Sequence, residues 1–109
     1  MVDRTVETAS FTPAVHVISR GVQPFAYRDE FYPSIRFGRV PVTPILTASL
    51  HLEAAPTAPP TLRTVAWTYE RPGGGRSFGF TGLHYLTSLD QPQLRKLLLN
   101  AIVWSAGIA

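Results

Sequence analysis

Three side chains in this chain are suited to proton transfer: Asp29 and Glu30 in the segment Phe25-Ala-Tyr-Arg-Asp-Glu-Phe-Tyr32, and His84 in Thr81-Gly-Leu-His84. An imidazole at the end of a strand, just before a helix, can donate, accept or ligate a metal near neutral pH. Open α/β proteins commonly expose site residues at such strand ends. The two acids compete with each other, because adjacent side chains on an extended strand point to opposite faces. One of them at most enters a given cleft, and the bland alternative is a solvated acid beside Arg28 or Arg36.

Other chemistry is excluded by composition. The chain has 109 residues and no cysteine, so it has no disulfide framework, no thiolate metal site and no cysteine nucleophile. Gly73-Gly74-Gly75 has no following lysine and Ser/Thr at P-loop spacing, and reads as a turn rather than a phosphate cradle. Trp67, Phe78, Phe80 and Trp104 recur at alternating or helical spacing, the pattern of a core rather than of a stacking platform. The net charge of +3 comes from ten basic residues, nine arginines and Lys96, that are scattered rather than clustered, so no nucleic-acid partner is expected. No apolar run approaches the ~20 residues that span a bilayer, and the first residues lack a hydrophobic signal core. No membrane contact is expected, and the location is cytoplasmic by default.

The elements that position these residues can be read along the chain. Residues 1–13 show no sustained period and read as an extended lead-in or a frayed end. Val15 to Phe25 reads as a short strand leading into a turn, with Gly21 at positive φ. Phe25 to Phe37 is a strand pattern broken by Pro33, and Val40 to Leu52 a β-branched segment that Pro41 and Pro44 confine to a sheet edge or a bulge. Ala54 to Thr61 reads as a surface loop. Leu62 to Tyr69 and Ser77 to Thr81 are the clearest strands, joined by the tight turn Arg71-Pro-Gly-Gly-Gly75.

Asp90 is suited to cap the last helix, with Gln93 as its capping-box partner and Pro92 in the first turn. Leu94, Leu97, Leu98, Ala101, Ile102 and Ser105 give that helix one buried face, and Gly107 stops it. Arg76 is expected to neutralise Glu70 or Glu53. His16 and His51 have no comparable support as site residues, and His51 reads as a surface residue. One helix is little cover for strands such as Thr64 to Tyr69 that are apolar on both faces, which points to a missing N-terminal portion or a partner chain.

Four blocks carry a resemblance to a known family: His16-Val-Ile-Ser-Arg-Gly21, Phe25-Ala-Tyr-Arg-Asp-Glu-Phe-Tyr32, Val42-Thr-Pro-Ile-Leu-Thr-Ala48, and Val65 to Trp104 with its Ala-Trp, Gly-Gly-Arg-x-Phe, Gly-x-His and Asn-Ala-Ile-x-Trp elements. In order and spacing they resemble the C-terminal part of the ThuA-like (trehalose utilisation) family. The resemblance implies an α/β fold of the flavodoxin-like, class I glutamine amidotransferase-like type, here a C-terminal partial domain over residues 14–109 with a mixed sheet, a β-hairpin and one long C-terminal helix. It also implies work on a sugar or oxidised sugar, with His84 and Asp29 or Glu30 moving protons, Arg28, Tyr32 and Tyr85 binding substrate, and a divalent metal as a cofactor candidate. Many members of that family carry a second histidine two residues after the first, followed by a tryptophan; Leu86 and Leu89 fall near those places here, so a two-histidine metal pair is not expected. A non-catalytic carbohydrate-binding or assembly module, self-associating through uncovered sheet, is the alternative; an amidotransferase reaction lacks its thiolate.

Overall fold

The computed structural model describes residues 4–52 and 55–107. The chain is an α/β domain. Five strands, β1 Thr5–Pro13, β2 Phe25–Phe31, β3 Thr43–Leu50, β4 Thr61–Glu70 and β5 Arg76–Phe80, form one sheet in the order β2-β1-β3-β4-β5. Among the described residues a single α-helix, α1 Pro92–Ser105, follows. Every pairing is antiparallel. The mixed sheet expected from the resemblance is therefore not found among the described strands. The connections are hairpins and loops, and none contains the helical crossover that a parallel pair requires.

The lead-in segment proves extended, as expected, but it is anchored rather than frayed. β1 pairs with β2 over Thr5 to Phe11, and with β3 only over Phe11 to Pro13. Its alternation buries Thr5, Ala9 and Phe11 and turns Val6, Thr8, Ser10 and Thr12 outward. This is the half-buried strand period, diluted by threonines and so easily missed. β3 is an interior strand, not an edge. Its ladder to β4 shifts register between Pro44 and Leu46 and again between Leu46 and Thr47, which is how the sheet tolerates Pro44.

The segment Val15 to Pro24 forms no strand, and Phe25 begins β2. Val17–Ser19 is a single 3-10 turn, with the Nδ1 of His16 accepting the Ile18 N–H at 3.1 Å, and Gly21 has φ +74° as expected of the following turn. The hairpin is as read: Gly74 supplies φ +101°, and the Arg71 N–H donates to the Gly75 carbonyl at 2.7 Å. Within it Trp67 stands opposite Gly79, where an added Cβ would lie 2.3 Å from the indole. The ring lies flat across the glycine and meets Phe37 edge-on at 4.8 Å. That aromatic pair covers part of the sheet's outer face. Along β1 this face presents Thr8, Ser10 and Thr12 and is hydroxyl-rich and exposed, as an antiparallel sheet permits.

On the inner face Phe11 is 1% exposed and packs its ring within 5.4 Å of those of Phe25, Tyr27 and Phe31. Leu94, Leu97, Ala101 and Trp104 of α1 complete this core. Ile102 and Ser105 are exposed, so the buried stripe departs from the expected one at its C-terminal end, where Trp104 is buried instead. The N-cap is Gln91, whose side chain accepts from the Gln93 N–H, whereas Asp90 ends the preceding 3-10 turn Leu86–Asp90. Gly107, at φ +79°, follows the last turn as expected. Arg76 stands opposite Glu70 in the ladder, but its guanidinium donates to the Trp104 carbonyl at 3.0 Å and stacks on that indole; Glu53 lies outside the described residues.

Candidate functional site

β2 and β5 are the two edges of the sheet, yet the segment leaving β5 reaches β2. Tyr27 donates its phenol to the Gly82 carbonyl at 2.6 Å, and the Asp29 carboxylate receives the N–H of His84 at 3.0 Å. The sheet must curl for these bonds to form. Residues 81–88 thereby become a strap that carries His84 to the strand bearing both candidate acids.

Asp29 is 0% exposed and lies on the core parity of β2 with Tyr27 and Phe31. Its Oδ1 accepts from the N–H groups of Glu30, His84 and Tyr85, and its Oδ2 from the Tyr85 N–H and the Ser88 hydroxyl. A carboxylate offers about four lone-pair sites, so this one is fully engaged in holding the strap. Burial, and then the Asp29 charge, push the Tyr27 phenol far above its ordinary range, which keeps it a neutral donor.

Glu30 points the other way, as strand alternation demands. It lines a cavity of about 290 Å³ with Tyr32, Phe80, Thr81, Leu83 and His84. Tyr32 donates its hydroxyl to Glu30 Oε1 at 2.8 Å, while His84 Nε2 stands 3.7 Å from Oε2. The hydrogen bond to Glu30 is the main reason the Tyr32 phenol is pushed above its usual range. At 3.7 Å the imidazole and carboxylate form an ion pair when the ring is protonated, without a direct hydrogen bond. A ligand hydroxyl or a water fits the role of a bridge between them.

The structure brings Glu30, Tyr32 and His84 together and separates Asp29 from the cleft. Arg28 is exposed on β2 outside the cavity lining, and Tyr85 lies edge-on to His84 at 5.3 Å with its N–H on Asp29. Arg4, which sequence reasoning missed, reaches within 3.9 Å of Glu30 Oε1. The register Val6 to Glu30 places it there, and no local pattern around Arg4 signals that pairing.

His51 is also tied down. Its backbone N–H and Nδ1 both meet the Glu7 carboxylate at 2.9 Å, and Thr5 donates to the same group at 2.7 Å. These residues stand where β1 and β3 part beyond Phe11, beside a groove of about 410 Å³ lined by Thr8, Ser10, Thr47 and Ser49. Burial raises the Glu7 pKa, but the bonds from His51 and Thr5 outweigh it and hold the group below the ordinary glutamate value. A depressed folded pKa contributes stability above the unfolded pKa that is lost as pH falls through the folded value. Glu7→Gln should therefore cost under about 1 kcal/mol at pH 7, because its partner His51 is more than a third exposed and solvent screens the pair. The deficit should shrink in urea titrations carried toward pH 3. A deficit independent of pH would mean that the charge contributes nothing.

Among the described residues no group of three His, Cys, Asp or Glu side chains gathers to hold a metal ion, and no helix is long and apolar enough to cross a membrane. Compared with known proteins, the chain matches no family model, and no curated protein or solved structure gives a significant match. The fold and cleft thus define an antiparallel α/β domain with an acid–imidazole pair at one end of a curled sheet.

Proposed function

We propose that this chain is a ThuA-like domain, or the C-terminal part of a flavodoxin-like one, working in carbohydrate metabolism on a glycoside or oxidised sugar. One observation carries the reading: Glu30 Oε2 and His84 Nε2, 3.7 Å apart, share a polar cavity in which Tyr32 orients the carboxylate. Such a pair can take a proton from a sugar hydroxyl or carbon and return it at a neighbouring oxygen, the work of hydrolase- or isomerase-type acid/base chemistry. Glu30 is the acid/base of choice, and Asp29 is a positioning residue that acts through the His84 backbone. A divalent metal would find two donors here and require others.

The second reading is a carbohydrate-binding or assembly module without turnover. The all-antiparallel sheet favours it, because the parallel strand ends that build the cleft of a doubly wound enzyme are absent from the described residues. Binding and turnover of trehalose and of its keto derivative separate the two. On the first reading both Glu30→Gln and His84→Gln lose at least about a hundredfold in turnover while melting like the parent, since general acid–base residues contribute that much. Saturable binding without product supports the second. No binding of either sugar overturns both.

A further inference from the structure

The loop between β1 and β2 takes no part in the cleft, yet four hydrogen bonds from α1 fix its backbone. Asn100 donates to the carbonyls of Ile18 at 2.7 Å and Arg20 at 3.1 Å, Lys96 donates to that of Gly21 at 2.9 Å, and Gln93 accepts the Gln23 N–H at 2.8 Å. Ile18 is 0% exposed and anchors the loop in the core. With the end of β1 the loop bounds a cavity of about 530 Å³, larger than the cleft beside His84. Pro13, Val15, Val17, Val22 and Pro24 give this cavity an apolar wall, although Val15 and Val17 stay exposed to solvent.

The polar groups of the cavity are donors. No acid is among its lining residues. Arg20 is exposed, and among the described residues its guanidinium meets no acceptor. The Nδ1 of His16 accepts the Ile18 N–H, so the neutral ring carries its proton on Nε2 and has a donor to offer. Ser19 brings a hydroxyl whose Oγ is buried and, among the described residues, has no hydrogen-bond partner. Native folds leave few such groups, because a buried polar atom without a partner is costly.

We propose that this cavity binds a free carboxylate with an aliphatic body, of the size of a medium-chain fatty acid. The carboxylate accepts from the Arg20 guanidinium and the Ser19 hydroxyl, with His16 Nε2 as a further donor, while the chain lies along the proline and valine wall. Phosphate and other strongly hydrated anions are disfavoured there, since an apolar wall returns nothing for the water they would lose. The pinned backbone forms the site before its ligand arrives, as is usual for small-molecule sites. It shares no lining residue with the Glu30 and His84 cleft, so it stands whether or not that cleft acts on sugars.

The test is a titration of the intact chain with octanoate, followed through the NMR signals of the His16 ring. Saturable shifts at His16, with His51 and His84 unmoved, are expected. Arg20→Gln should raise Kd about tenfold, the scale of one charge-assisted hydrogen bond, and octanol, which keeps the chain but lacks the charge, should bind as weakly to the parent. Acetate should bind at least about a hundredfold more weakly than octanoate, because each buried methylene adds affinity. Ser19→Ala should weaken octanoate severalfold while melting no lower than the parent, since it removes an unpartnered hydroxyl. Octanoate that leaves His16 unmoved up to its critical micelle concentration overturns the proposal, as does equal affinity for octanol or for acetate. Binding of phosphatidylglycerol vesicles in place of free octanoate overturns it in favour of a membrane-surface loop.

Discussion

Asp29→Asn is expected to unfasten the strap that carries His84. The substitution keeps the shape and removes the charge, but it also puts an NH2 group where the N–H of Tyr85 and the Ser88 hydroxyl now donate. Donor then faces donor in a site that is 0% exposed, so the loss is more than that of a hydrogen bond. Breaking a buried, charge-assisted network of this size costs about 3 kcal/mol. For a domain of about 100 residues that lowers Tm by roughly 15 °C. The readout that separates positioning from bulk stability is the His84 ring, whose NMR signals should broaden or shift more than those of His16, held by a different element. A variant melting within about 2 °C of the parent would mean that the strap is held by its own contacts.

Phe11→Ala is expected to be the most damaging single change in the sheet. Phe11 is the residue at which β1 meets both neighbours, opposite Phe25 in one ladder and Ala48 in the other. Its ring is stacked on Phe25 at 5.3 Å and on Tyr27 at 4.9 Å, and tilted against Phe31 at 5.4 Å. Truncation opens a cavity that strands on both sides cannot fill without losing register, and Phe→Ala in such a site costs about 3–5 kcal/mol. Equilibrium unfolding in urea would show it as a lower midpoint. A loss below about 1 kcal/mol would require the ring cluster to close over the gap.

The β4–β5 hairpin and the last helix were legible because their signals are local: a glycine turn between alternating runs, and apolar residues at helical spacing ended by Gly107. The face of α1 departs from its reading at one end only: Leu94, Leu97, Leu98 and Ala101 pack on the core as their spacing predicts, whereas Ile102 and Ser105 fit the same period but are exposed, and Trp104 is buried instead. β1 gives a weak signal because Thr8, Ser10 and Thr12 dilute its alternation and its partners lie far along the chain. The same non-locality hid the cleft. Sequence placed His84 and Glu30 among the candidates, but the assignment of Asp29 to the strap and of Glu30 to the cavity depends on which parity of β2 faces the core. Nothing local sets that choice. The Glu7–His51 pair is invisible for the same reason, being formed across a gap where two segments far apart in the chain pair briefly and then part.

The brief contact of β1 with β3 divides the sheet into two plates. One is the pair β1 and β2, the other the meander β3, β4 and β5, and the backbone joins them through three residue pairs up to Pro13, which has no amide hydrogen to donate, and one further bond from the Ala14 N–H to the Ile45 carbonyl at 2.8 Å. What holds the plates together is transverse: the strap on Asp29, the shared core that both plates form with α1, and the clasp of Glu7 on His51. A structure jointed in this way can breathe along a seam while each plate stays intact. Amide hydrogens beside Phe11 and Thr12 would then exchange well before those in the middle of β4, although both lie in interior strands.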